Sequence, residues 1–346
     1  MTEQQIEQMF SQMIQVVETL QSRVSQLEKE NEALIKSNTS LIDWMQMQED
    51  DIMRLQRNMR FEVLDPRNQA EVCEMPILEE PEKTLELIVN EHKSLSRFGD
   101  GEFAAIGGKI RHKFQSEVDP ELGNRLREVL QAREENLLVA LADNYGSLCN
   151  YKEKMQREIR AHLSEEERKF ELGLLNKEYK YHNAYISRPY AMYKDQNTEA
   201  PAKRFEALRK IWDQRDCVFV EGRFTRLGVG NDLFENVSSI VRILGPEENA
   251  FRRYDEIFEA CKQMSKDKLF LLALGPTATV LAYDLCREGY QAVDIGHLDL
   301  EYEWFLQGNG GRTPVAHKYN NECENGEKVE AINSEWYEQQ IVATVY

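Results

Sequence analysis

The feature that most constrains this chain is a seven-residue repeat at its start. One row reads Ile6, Met13, Leu20, Leu27, Leu34, Leu41, Gln48 and Leu55, and a second reads Phe10, Val17, Val24, Asn31, Asn38, Met45, Ile52 and Met59. With the first row at d and the second at a, about seven heptads run without proline or glycine, the pattern of a long coiled-coil helix over residues 1–60. Valine at a with leucine at d favours a parallel dimer, and Asn31 and Asn38 at a would fix its register. Arg23 at g can reach Glu28 at e of a partner. Ile14, Ile35 and Ile42 at e, with Val16 and Trp44 at g, widen the stripe and leave a trimer or tetramer open. The alternative is a single helix folding back on its own globular domain.

Pro66, Pro76 and Pro81 mark residues 61–83 as a linker, with the helix expected to end before Asp65 because proline restricts its predecessor to extended geometry. The globular domain is then expected over residues 84–346. It alternates strand and helix. Strands are expected at Leu137–Leu141, Cys217–Val220, Ser239–Leu244, Leu269–Leu274 and Ala292–Gly296, and short extended structure at Ala184–Ile186. Helices are expected over Thr84–Lys93, Leu122–Arg133, one long charged stretch from Tyr151 to Leu172, Ala200–Gln214, Tyr254–Met264 and Ala278–Arg287. Such alternation implies an α/β fold with a Rossmann-like, doubly wound, largely parallel sheet, whose ligands bind outside the carboxyl ends of the strands.

The net charge of −18 argues against a surface built for nucleic acid. No signal peptide and no apolar run long enough for a membrane span is present, which leads us to expect a cytoplasmic protein with peripheral contact at the inner face of a membrane left open. Cys73, Cys149, Cys217, Cys261, Cys286 and Cys323 form no CxxC pair and read as reduced thiols.

Chemistry gathers at the expected strand ends. Ser96-Arg97-Phe98-Gly99-Asp100-Gly101-Glu102 puts two carboxylates in a glycine turn, either a divalent-cation site or an acidic helix start favoured by the macrodipole. Gly275-Pro276-Thr277-Ala278-Thr279 is either a phosphate cradle at a helix N-terminus or a capped turn, and it matches neither a Walker A sequence nor GxGxxG. In Thr225-Arg226-Leu227-Gly228-Val229-Gly230-Asn231-Asp232, Arg226 suits a diphosphate, or the stretch is a surface turn with Asp232 as a helix cap. Asp294-Ile295-Gly296-His297-Leu298-Asp299, followed by Glu301-Tyr302-Glu303-Trp304, brings an imidazole and carboxylates to another strand end. The glycine-bearing segment from Gln307 to Ser334 reads as either a lid or a segment without order.

In this order, over roughly residues 84–320, these four stretches resemble the GT-D-type glycosyltransferases, a bacterial family that uses nucleotide sugars. The resemblance implies transfer of a sugar, glucose or another hexose, from a UDP-sugar to a glycan, glycoprotein or lipid-linked acceptor. It implies a DxE motif, matched by Asp100 and Glu102, for a metal and donor. Read beside it, the residues suggest Mn2+ or Mg2+ there, with His297 as a third metal ligand or a donor contact. Arg97, Thr225, Arg226, Asn231, Gly275, Thr277 and Thr279 would hold the donor, and Asp232 or Asp299 would serve as base. The coiled coil lies outside the resemblance. The competing reading is a non-catalytic coiled-coil scaffold or adaptor with a nucleotide-sugar-binding domain.

Overall fold

The computed structural model describes residues 3–70, 75–332 and 334–346, so the expectation for Cys73 lies outside the described residues. The chain divides into two compact units, Met1–Val63 and Leu64–Tyr346. Helix α1 (Glu3–Ala70) carries the heptads, and Leu27 and Leu34 are among the apolar side chains exposed along it. It runs through Pro66 rather than stopping before Asp65. A proline disfavours helical geometry at its predecessor without forbidding it, so an X-Pro step marks a boundary only by bias.

The expected linker also holds ordered elements, β1 (Ile77–Leu78) and the start of α2 (Pro81–Asn90), whose Pro81 sits where a helix has no amide bond to lose. There follow β2 (Ser94–Phe98), α3 (Asp100–Ile106), α4 (Pro120–Gln131), β3 (Leu137–Leu141), α5 (Glu153–His162), α6 (Glu165–Leu174) and β4 (Lys180–Asn183). Then come α7 (Ala200–Arg209), β5 (Asp216–Gly222), β6 (Ser239–Gly245), α8 (Tyr254–Lys262), β7 (Leu269–Ala273), α9 (Pro276–Arg287), β8 (Gln291–Asp294), α10 (Leu298–Gln307), α11 (Glu335–Gln339) and β9 (Ile341–Thr344). The expected long charged helix is two. Ser164 accepts the amide of Glu167 and so caps a new helix after the break at Leu163. Ala184–Ser187 is a 3-10 turn rather than extended structure.

The strands form one sheet in the order β1-β4-β3-β2-β8-β7-β5-β6-β9. Every paired neighbour is parallel. Both faces are covered, as a parallel sheet requires. Alternate residues of the central strands point to opposite cores: Val218, Val220, Phe270 and Leu272 pack with α3, α4, α8 and α9, while Cys217, Phe219, Leu269 and Leu271 pack with α2, α7 and α10. Among the described residues no helix is long and apolar enough to cross a membrane.

One polar pair lies inside this frame. Arg242 on β6 and Glu221 on β5 are both fully buried with Nη1 and Oε1 2.5 Å apart. Arg242 also donates to the Leu227 carbonyl and Gln340 Oε1, and Glu221 Oε2 accepts the Leu227 amide, so the pair shapes the loop that follows β5. Breaking it strands a buried guanidinium. Glu221→Ala is expected to lower stability by about 3–5 kcal/mol, measured by urea unfolding against the parent chain.

Candidate active site

Adjacent strands β2 and β8 send their chains to opposite faces, β2 to α3 on one and β8 to α10 on the other. A crevice opens where neighbouring strands diverge in this way. A cavity of about 490 Å³ lies there, lined by residues from Arg97–Glu102, Gly296–His297, Gly275–Pro276 and Thr225. Ala142 and Asn144 after β3, and Tyr185 and Arg188 after β4, extend its wall.

Asp100 opens α3 and lines this cavity, about one-third exposed. Its Oδ2 accepts from Arg111 Nε at 2.9 Å, and its Oδ1 lies 3.1 Å from His112 Nε2. Burial pushes its carboxyl up, but the bonds and charges of His112 and Arg111 outweigh burial and hold it well below the usual carboxylate range. Glu102 turns back instead, its Oε2 accepting the Gly99 amide at 2.8 Å in a capping-box arrangement. Burial raises its pKa. Glu102 thus supports the helix start, and Asp100 lines the cavity. Among the described residues no three His, Cys, Asp or Glu side chains converge as a metal cage.

Arg97 lines the cavity, but its guanidinium is engaged with protein. Nε donates to the Asp294 carbonyl and Nη2 to Asp294 Oδ1, each at 2.8 Å, and Nη1 donates to Ser187 Oγ at 2.8 Å. Gly296 arches over it at φ +47°, and a Cβ there would lie 2.0 Å from Arg97 Nη2. His297 Nδ1 lies 2.9 Å from Arg188 Nη2 and 3.2 Å from Glu322 Oε1. Burial pushes the His297 pKa down to about 3, so the ring is neutral near pH 7. Arg188 grips Glu322 with two bonds, while Glu301, whose Oε2 accepts the Tyr190 and Ala191 amides, lies behind them. Asp100, Glu102 and His297 thus line one cavity but do not form one ligand set.

The phosphate-cradle stretch opens on the same cavity. Gly275, at φ +55°, is the N-cap of α9 and makes no side-chain cap, and a Cβ there would press on Phe114 at 3.0 Å. Thr225 also lines the wall. Thr277 and Thr279 are buried behind it, Thr279 Oγ1 donating to the Arg97 carbonyl. Arg226 points into the segment 308–332, donating to the carbonyls of His317 and Glu330. Asn231 donates to Asp299 and Glu303. Asp232 lies among Arg209 and Tyr302, half exposed, away from the lining residues. Asp299 does line the cavity, with Oδ1 accepting from Gly228 and Asn231 and Oδ2 2.6 Å from buried Lys318 Nζ. Lys318, fully buried, ties the segment that follows α10 to Asp299 and Glu303.

Residues that sequence reasoning missed include Arg111, His112, Asn144, Arg188 and Glu322. Each lies outside a glycine-turn motif and reaches the cavity only through tertiary packing. Arg188 comes from the turn after β4, and Glu322 from a stretch with no periodicity.

Residues 95–323 match the family model described as the glycosyltransferase GT-D fold. The chain is 37% identical over 266 residues to a probable glycosyl transferase Gly of Streptococcus gordonii, covering 76% of this chain and 38% of that protein. It is 36% identical over 266 residues to glycosyltransferase GlyD of Streptococcus pneumoniae, covering 76% of this chain and 32% of that one. The chain therefore spans about a third of the length of these relatives. A solved structure titled as a new glycosyltransferase from Streptococcus sanguinis superposes with TM-score 0.72 at 35% identity, over 79% of this chain and all of that one. A second, titled as a highly conserved domain of unknown function with a distinct glycosyltransferase fold, gives TM-score 0.72 at 34% identity, over 79% of this chain and 97% of that chain.

Gly296→Ala tests the strand-end geometry. The left-handed backbone and the overlap with Arg97 are expected to cost about 2–4 kcal/mol together, read as a lower urea midpoint with an unchanged m-value.

Proposed function

The chain belongs to the GT-D-fold glycosyltransferases, and from that premise we propose that it transfers a hexosyl group from a UDP-sugar to a hydroxyl of a glycan, glycoprotein or lipid-linked acceptor. The observation that carries the reading is that Asp100 and the uncapped N-terminus of α9 open on one cavity at the switch point of the sheet. The amide groups at such a helix end suit phosphate oxygens. Thr225 and Gly275 would hold the diphosphate, with Thr277, Thr279 and Arg226 fixing the loops behind them.

The lining cations are matched to carboxylates: Arg97 to Asp294, Arg111 and His112 to Asp100, Lys109 to Glu167, Arg188 to Glu322 and Arg312 to Glu158. A leaving diphosphate then needs charge from elsewhere, which a divalent cation held here would supply. Asp100 and Glu102 would hold Mn2+ or Mg2+, with donor oxygens and water completing the shell, since such cations commonly bind through one or two carboxylates plus phosphates. This fits a pair of carboxylates with no third protein ligand among the described residues. His297, neutral and packed between Arg188 and Phe114, supports a donor-contact role better than ligation.

In the transfer the donor C1–O bond breaks, the acceptor oxygen bonds to C1, UDP leaves and the hydroxyl proton passes to a base. Of the two bases considered, Asp299 lines the cavity and Asp232 does not, although both oxygens of Asp299 already accept donated bonds. Those bonds suit Asp299 to holding the loop after β5. The scaffold reading draws on the same pairing of Asp100 with Arg111 and His112, which leaves the site closed to a cation until that pairing opens.

The exposed heptad positions of α1 from Ile6 to Ile52 further support a homo-oligomer, which the repeat would carry through residues 6–59, with a parallel dimer favoured by valine at a and leucine at d. Light scattering after size exclusion is expected to give a dimer for the full chain and a monomer for residues 61–346. A monomeric full chain would refute the assignment.

A UDP-release assay with Mn2+ and a panel of UDP-sugars tests the enzyme. Turnover is expected to need the cation and to fall at least about 100-fold in Asp100→Asn. Donor binding without metal-dependent turnover, unchanged in Asp100→Asn, would favour the scaffold.

A further inference from the structure

We infer that the end of the cavity beneath β3 and β4 is the acceptor subsite, and that it takes a neutral saccharide rather than a phosphorylated carrier. This rests on the glycosyl-transfer reading. The sheet order places β7 and β5, with the Gly275 turn and Thr225, on one side of the β2–β8 crevice, and β3 and β4 on the other. A diphosphate on the α9 side leaves its sugar over the crevice at Asp100. The attacking hydroxyl then approaches from the β3–β4 side.

The wall on that side suits a carbohydrate. Met155 and Ile159 of α5, with Met192, give an apolar surface, and Tyr185 adds a ring. Asn144, only 8% exposed, lines the cavity with its Oδ1 lacking any protein partner. A pyranose presents an apolar C–H face and a rim of hydroxyls, and mostly apolar pockets with a few placed polar groups recognise such ligands.

Charge decides between acceptor classes. The three long cations at this end are each within ion-pair distance of a carboxylate: Lys109 with Glu167 at 2.6 Å, Arg188 with Glu322 at 2.5 Å and Arg312 with Glu158 at 2.5 Å. A phosphate here would meet cations whose charge is already offset by carboxylates, whereas a neutral hydroxyl asks only for Asn144 and the apolar surface. The Arg312–Glu158 pair also bridges the segment after α10 to α5, and both residues line the cavity.

Saturation-transfer NMR on the full chain, with and without UDP and Mn2+, measures binding of methyl hexopyranosides, N-acetylhexosamine and a hexose 1-phosphate. Neutral pyranosides are expected to bind at millimolar concentration, no more weakly than the phosphate. Asn144→Ala and Ile159→Trp, the second filling the subsite from a half-buried helix position, are each expected to weaken this at least tenfold while melting temperature holds. The inference is overturned if no neutral pyranoside binds, if both variants bind as the parent does, or if the phosphate binds tenfold tighter. UDP binding and Mn2+-dependent turnover report on glycosyl transfer separately. Their loss with saccharide binding intact would strike that reading and leave a saccharide site.

Discussion

The clamp between Arg97 and Asp294 supports everything the cavity does. Strands β2 and β8 share a single registered pair, Leu95 with Val293, because they diverge beyond it. Arg97 crosses that divergence with two bonds to Asp294 and a third to Ser187, while Thr279 of α9 bonds back to the Arg97 carbonyl. One guanidinium thus joins both strands and the turn after β4, and its backbone anchors α9. Burial pushes the Asp294 carboxyl up, which the adjacent guanidinium opposes. The crevice can be open to a ligand because its floor is held by side chains rather than by a continued ladder.

Above that floor the cavity is polar but charge-balanced. Arg188, Glu322, His297 and Glu301 form one cluster in which Glu322 is held below its ordinary range by Arg188 despite burial. Asp100 is balanced by Arg111 and His112. Introducing a diphosphate into such a site calls for an added cation or for an exchange of partners. The partners of Asp100, Arg111 and His112, come from the stretch between α3 and α4 rather than from the core of the sheet.

Much of this arrangement was legible in the residues. The apolar runs at Leu137–Leu141 and Leu269–Ala273 read as buried parallel strands because both faces of such a sheet are covered, and glycine marked the cavity-lining turns after β2, β7 and β8 but not those after β3 and β4. Asp100, His297 and Gly275 line the cavity as strand-end positions should. The reading ran out where function depended on contacts distant in sequence. Arg226 looked like a free phosphate ligand because its partners, the carbonyls of His317 and Glu330, are about a hundred residues away and carry no side-chain signal. Arg97 looked like one for the same reason.

The sequence by itself determined the heptad helix, the alternation of strand and helix and the positions of the strand-end turns, since periodicity and glycine act locally. Only the tertiary structure decided which polar groups face the cavity and which are consumed in holding it. A charged side chain takes whichever opposite charge lies nearest in space. Glu322 reaches Arg188 across more than a hundred residues of chain, and Asp232, for all its motif, faces Arg209 and Tyr302.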